Sequence, residues 1–149
     1  QEANTWLAQH HGVIPVATLL AFGASRRTIY RHAERLRWVP ILPGVLLSSH
    51  WPIGRLQLMA AACARNDGAA IAFTTAATEW AARRLPPDDA VHVLVPHGRS
   101  PQMDGIVVHR CRRIDPVDVV VRPDGIRLTS PPRTLFDCAD ILGVDAASS

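Results

Sequence analysis

Residues 23 to 38 read GASRRTIYRHAERLRW. Five of the chain's sixteen basic residues fall here, and all sixteen are arginine. Ser25 offers a side-chain oxygen to the free amides of a following first turn, so a helix is predicted from there to about Arg37. At about 100° per residue Ile29, Ala33 and Leu36 share one face, while Arg27, Arg31 and Arg35 run down the opposite one. Like charges at i, i+4 cost an isolated helix roughly 0.2–0.5 kcal/mol per pair, and only Glu34 is near enough to offset them. Either the face is simply solvated, or a counter-charge outside the protein meets it.

On the N-terminal side, "NTWLAQHHG" places Asn4 or Thr5 at the cap of a short helix with Trp6, Leu7 and His10 along one side. "PVATLLAFG" then puts Pro15 in a first turn, Val16, Leu19 and Leu20 at helical spacing, and Gly23 just past the end. Two helices joined by a short Gly-containing turn, the second capped by Ser, make a helix-turn-helix layout. On the C-terminal side, "RWVPILPGVLLSS" reads as strand, Pro43-Gly44 turn, strand. Three helices and a hairpin predict a winged helix over residues 1–50. A helix about 12 Å across fits the DNA major groove, where arginine grips guanine edges and phosphates as a fork. The predicted contacts to double-stranded DNA are Ser25, Arg26, Arg27, Thr28, Tyr30, Arg31 and Arg35. Tyr30 serves equally well as a shield along the helix edge.

Beyond "SSHWP" the composition changes. "IGRLQLMAAACARN" predicts an Ala-rich helix lined by Leu56, Met59, Ala60 and Cys63. "TTAATEWAARRL" predicts another, capped at Thr74 or Thr75, with Trp80 on its apolar side. "PPDD" breaks the chain, and "AVHVLVP", "GIVVHRC", "VDVVVR" and "IRLT" follow as strands. "SPPRTLFDCADIL" opens on Ser130 and two prolines as a helix whose apolar side is Leu135, Phe136, Ala139 and Leu142. The fold class is α+β: an N-terminal winged helix-turn-helix, then a small mixed α/β domain over residues 51–149.

Charge follows the same division. Residues 1 to 50 hold five Arg against Glu2 and Glu34, whereas residues 51 to 149 hold eleven Arg against eleven acids, so the net +3 sits in the first third. That asymmetry fits a polyanionic partner for the first part. The three cysteines, Cys63, Cys111 and Cys138, form no C-x-x-C pair and no disulfide framework. With no basic-then-apolar leader and no apolar run near the roughly 20 residues of a span, the expectation is a cytoplasmic protein without membrane contact.

The order "HHGVIPVATLLAFGASRRTIYRHAERLRWVPILPGVLL", an Ala-rich helix, "VHVLVP", "VVHRC" and "DGIRLTSPPRTLFDCA" resembles the AbiEi-type antitoxin family of bacterial toxin–antitoxin loci, over about residues 10 to 142. The telling piece is "TSPPRTLFDCA" after the "DGI" strand. This chain departs at Phe73-Thr74, where a Ser-His pair often stands, and at Leu46, where an aromatic is usual. The resemblance implies a regulator that represses its own operon through a winged helix and antagonises a nucleotidyltransferase-like toxin. A similar front half also occurs joined to very-short-patch-repair-like endonucleases, so the alternative is the DNA-targeting half of such an enzyme with its core beyond Ser149. A third alternative is a protein-interaction module whose winged helix no longer binds DNA. A homodimer is compatible with each.

Enzyme chemistry finds little footing. The chain contains no lysine, which excludes a restriction-type nuclease core with its catalytic Lys and a phosphate loop with its Gly-Lys-Ser/Thr. His92, His97, His109 and Cys111 lack the tight pairing of zinc ligands, so no metal or other cofactor is called for. Ser130 and Cys138 lack any nucleophile signature, and no catalytic residue is assigned. Arg133 and Asp137, at i, i+4, predict a helix-surface ion pair, or leave Arg133 to meet a partner.

Overall fold

Helix α1 (Glu2–Gln9) stops where the backbone turns left-handed, with φ of 58° at His11 and 80° at Gly12. Glycine is required at the second position, since a Cβ there would run into the Trp51 indole. The chain leaves that turn extended. This computed structural model describes residues 2–35, 37–83, 85, 88–96 and 104–139, which form six α-helices and two sheets in a mixed α+β arrangement.

They divide into two compact units, the first being Gln1–Asp67 with Pro123–Gly125. In it α1 is followed by a strand, β1 (Val13–Pro15), then α2 (Val16–Ala21), α3 (Arg26–Glu34), β2 (Trp38–Leu42), β3 (Val45–Ser48) and α4 (Arg55–Arg65). Strands β2 and β3 are the predicted hairpin, with Gly44 at φ +77° in its turn. The three-residue β1 was not anticipated. It pairs antiparallel with β3, Ile14 opposite Leu46, giving the order β1-β3-β2. Pro15 is therefore the last strand residue and the cap of α2 rather than part of its first turn. The sheet carries Ile14 and Leu46 into a core with Leu7, Leu19 and Ile29, closed by Trp6, Trp38 and Trp51.

The compositional change after "SSHWP" does not mark the edge of this unit. Helix α4, expected in the second domain, packs on β1, β2 and β3 and buries Met59, Ala61 and Cys63. Its Gln57 is buried because its amide is satisfied at both ends: Oε1 accepts from the Gly54 amide at 3.0 Å and Nε2 donates to the His11 carbonyl at 3.2 Å. Leu56, expected on the inner face, is exposed.

The second unit holds β4 (Ala70–Ile71), α5 (Phe73–Glu79), β5 (Val91–Pro96), β6 (Ile106–Cys111), β7 (Val119–Val121), β8 (Arg127–Thr129) and α6 (Pro131–Asp137). Its sheet runs β6-β5-β4-β8-β7, with β5 parallel to β6 and β4 parallel to β8. Helix α5 packs on β5 and β8 and against α6. It ends earlier than predicted, with Ala81 at φ 62°, and neither Thr74 nor Thr75 caps it. Trp80 instead donates from Nε1 to the Thr129 carbonyl at 2.8 Å.

Ser130 caps α6 as expected, but the buried face is not the predicted one. Leu135 and Phe136 are 54% and 78% exposed, and Thr134 and Cys138 point inward. A polar residue can hold that inner place because Thr134 Oγ1 bonds the Thr129 hydroxyl at 2.6 Å and donates to the Thr129 carbonyl at 3.1 Å. Leu142 lies outside the described residues.

Candidate functional site

Helix α3 begins where Ser25, in an extended conformation, turns its hydroxyl onto the next turn. Ser25 Oγ accepts from the Thr28 amide at 3.1 Å and shares a hydrogen with Thr28 Oγ1 at 2.9 Å. Both hydroxyls therefore work in the cap. The helix runs to Glu34 with Arg35 as its C-cap, shorter than predicted, and Leu36 lies outside the described residues. Ile29 is its buried anchor in the core.

Rotation about α3 separates the arginines into two groups. Arg27, Arg31 and Arg35 line one strip, all exposed, and none has an ion-pair or hydrogen-bond partner for its guanidinium among the described residues. Arg26 and Tyr30 lie about 100° away from that strip, beside Ile29, where they border a cleft toward Pro40 and Leu46. The ends of the helix treat these charges differently. Arg31 and His32 in the last turn complement the negative end of the helix dipole, whereas Arg26 and Arg27 sit in a first turn with no acid, against its positive end. Such a first turn attracts anions.

The hairpin tip, Pro43-Gly44, carries no charge of its own. A cation is nevertheless tied to it: Arg65, at the end of α4, donates from Nη1 to the Pro43 carbonyl at 2.7 Å.

In the second unit, the histidines weighed as metal ligands form a relay instead. Asp88 Oδ2 meets His92 Nε2 at 2.5 Å, and His92 Nδ1 meets His109 Nε2 at 2.9 Å. The His92 hydrogen bond, followed by the Ala90 amide, holds Asp88 below the usual carboxylate range. Burial first, and the charge of His92 second, push His109 below the ordinary imidazole value, against the pull of Asp137. The Phe73 ring lies tilted against His109 with ring centroids 4.1 Å apart, from a backbone φ of 53° that a bulky residue rarely adopts. Cys111 bonds the Val95 carbonyl at 3.6 Å, and His97 lies outside the described residues. Among the described residues no group of three or more His, Cys, Asp or Glu is placed to hold a metal ion.

The predicted Arg133 to Asp137 pair forms at 2.9 Å, and Arg133 reaches Asp118 as well, at 3.2 Å. It is no surface pair, for the Asp137 side chain is only 7% exposed. Burial works against the Arg133 charge, but the bonds from Asp137 and Asp118 prevail and raise its pKa. Asp137 Oδ2 remains buried without a hydrogen-bond partner among the described residues. The two residues considered as nucleophiles are otherwise engaged: the Ser130 hydroxyl accepts from the Arg133 amide at 3.3 Å, and burial raises the Cys138 thiol.

Compared with models of known protein families and with curated proteins, the chain matches none. No helix among the described residues is long and apolar enough to cross a membrane.

Proposed function

We propose that the first unit is a winged helix that binds double-stranded DNA through α3, and that the chain acts as a cytoplasmic transcriptional regulator of the antitoxin type. The observation that carries the DNA reading is the unpartnered strip Arg27, Arg31 and Arg35 on a helix anchored by Ile29. Three exposed guanidiniums on one strip of a docked helix suit a row of phosphates and guanine edges. The strand β1 supports the winged-helix reading. With the order β1-β3-β2, a strand between α1 and α2 joins a hairpin that follows α3 and packs on it, a layout in keeping with a wing that approaches the DNA backbone next to the groove. Arg65 adds a cation at that tip.

Ser25 and Thr28 contribute to this interface by capping α3 and aligning its first turn. The antitoxin part of the proposal rests on the sequence motifs quoted above, and the exposed Leu135 and Phe136 on α6 suit a protein partner, here a toxin.

The test is a gel-shift titration of the full chain on DNA upstream of its own gene. Arg27→Ala together with Arg31→Ala should weaken binding at least tenfold, about 1.4 kcal/mol, with helicity unchanged. Unaltered affinity in a folded double variant would end the DNA reading.

A further inference from the structure

The cleft beside α3 has a shape and a charge that the strip of arginines does not explain. Arg26, Ile29, Tyr30 and Ala33, spaced i, i+3, i+4 and i+7, form one side of it. Val16, Pro40 and Leu46 form the other. Ile29 and Leu46 are buried and make its floor, while Arg26 and the 64% exposed Tyr30 stand at its mouth. Apart from those two residues, every lining side chain is apolar. The volume is about 180 Å³.

We propose that this cleft binds a small apolar carboxylate, a single ring or branched chain of about ten heavy atoms or fewer, with its carboxylate on Arg26. Size sets the upper limit. A cavity of about 150 Å³ lined by aliphatic and aromatic side chains holds one benzene, whereas pockets for larger ligands start at about 300 Å³. One ring fits here; a nucleotide or a long acyl chain does not. Charge sets the headgroup. Arg26 has no ion-pair or hydrogen-bond partner for its guanidinium among the described residues, and it sits in the acid-free first turn of α3, where the helix dipole adds to its field. A guanidinium takes a carboxylate through two parallel hydrogen bonds. The apolar walls leave a hydrated or cationic ligand nothing to bond.

The ligand site stands whether or not α3 touches DNA. A second consequence does rest on the DNA reading: a carboxylate on Arg26 competes with phosphate for one guanidinium, so the ligand should weaken DNA binding.

The experiment is an amide NMR titration of the full chain, without DNA, using 4-methylbenzoate, 4-methylpentanoate and the neutral 4-methylbenzamide. At least one carboxylate should saturate below about 1 mM, moving the amides of residues 26, 29–33 and 46, with the benzamide at least tenfold weaker. Arg26→Gln should cost the carboxylate at least tenfold and leave the benzamide unchanged, while Arg27→Ala with Arg31→Ala should cost the carboxylate less than Arg26→Gln does. Ala33→Leu should fill the cleft and abolish binding; should that variant misfold, Arg26→Gln decides alone. Absence of saturation by both carboxylates, equal binding of the benzamide, or an indifferent Arg26→Gln overturns the proposal. So does movement of the same amides with protein concentration alone, which would mean that a second copy occupies the cleft. A ligand that binds as expected yet leaves an established gel shift untouched would remove the competition and keep the site.

Discussion

His92 and His109 share one hydrogen across 2.9 Å, and at most one of the two facing nitrogens can carry it. With Asp88 accepting from His92 Nε2, the neutral arrangement has His109 donating from Nε2 to His92 Nδ1. Protonating both rings would set two N–H groups and two positive charges against each other.

The pH dependence follows from that arrangement. His109 is depressed in the folded state by burial and by His92, with Asp137 opposing. An unfolded histidine takes its proton near pH 6.5, before folded His109 does, so this contribution is complete above about pH 6.5 and is lost as pH falls toward the folded value. Thermal unfolding temperature should therefore fall below about pH 6.5, and His109→Gln should flatten that dependence. Imidazole NMR should place the His109 midpoint below the ordinary histidine value. A midpoint at or above that value contradicts the relay.

Thr134→Val should destabilise the second unit by about 1–3 kcal/mol, because it strips a buried hydroxyl pair of one member. Thr129→Val with Thr134→Val should cost less than the sum of the single changes. The Thr129 carbonyl keeps its bond from Trp80, and no hydroxyl is then left alone. Denaturant titration of the three variants measures the difference.

Gly12→Ala should cost at least about 2 kcal/mol, since it combines a left-handed φ of 80° with a collision against the Trp51 indole. Gly23→Ala, left-handed as well but with open space around its Cβ position, should cost less. Equal losses in chemical denaturation would mean that the indole moves aside freely.

Arg65→Ala should leave stability within about 0.5 kcal/mol, as the bond to Pro43 is exposed. Hydrogen exchange at the Gly44 and Val45 amides should nonetheless quicken, because a tie on the hairpin turn is gone.

Where DNA is bound, the strip Arg27, Arg31 and Arg35 accounts for about three phosphates. The slope of log affinity against log salt should then be about −2.7 per protomer, falling in magnitude by about 0.9 for each arginine removed. A flat salt response would turn the strip toward solvent.

The sequence disclosed what is encoded locally. Ser25 and Ser130 announce their caps, Pro43-Gly44 announces its turn, and the β-branched runs around Val93 and Val108 announce strands. What stayed hidden depends on distant partners. Ala70–Ile71 is a strand through its pairing with β5 and β8, and two residues, of which only Ile71 favours a strand, are too few to signal one. Thr134 faces inward because Thr129, on the preceding strand, satisfies it, so hydrophobicity pointed to Leu135 and Phe136 instead. On α3 the periodicity put the basic strip opposite Ile29 and Arg26 to one side of it, but the cleft that Arg26 borders required the position of Pro40.

Strand β1 also predicts an order of folding events. Its three residues add to β3, whose other edge already carries β2, and Ile14 and Leu46 are 32 positions apart in the chain. The β2–β3 ribbon closes over a two-residue loop, whereas β1 reaches β3 across a much longer loop, so the ribbon is expected to form first and β1, with the N-terminal helix, to add to it. Slowing the ribbon, for example by Gly44→Val, should delay burial of Trp6 in stopped-flow fluorescence. A change confined to α1 should leave the ribbon's own rate alone.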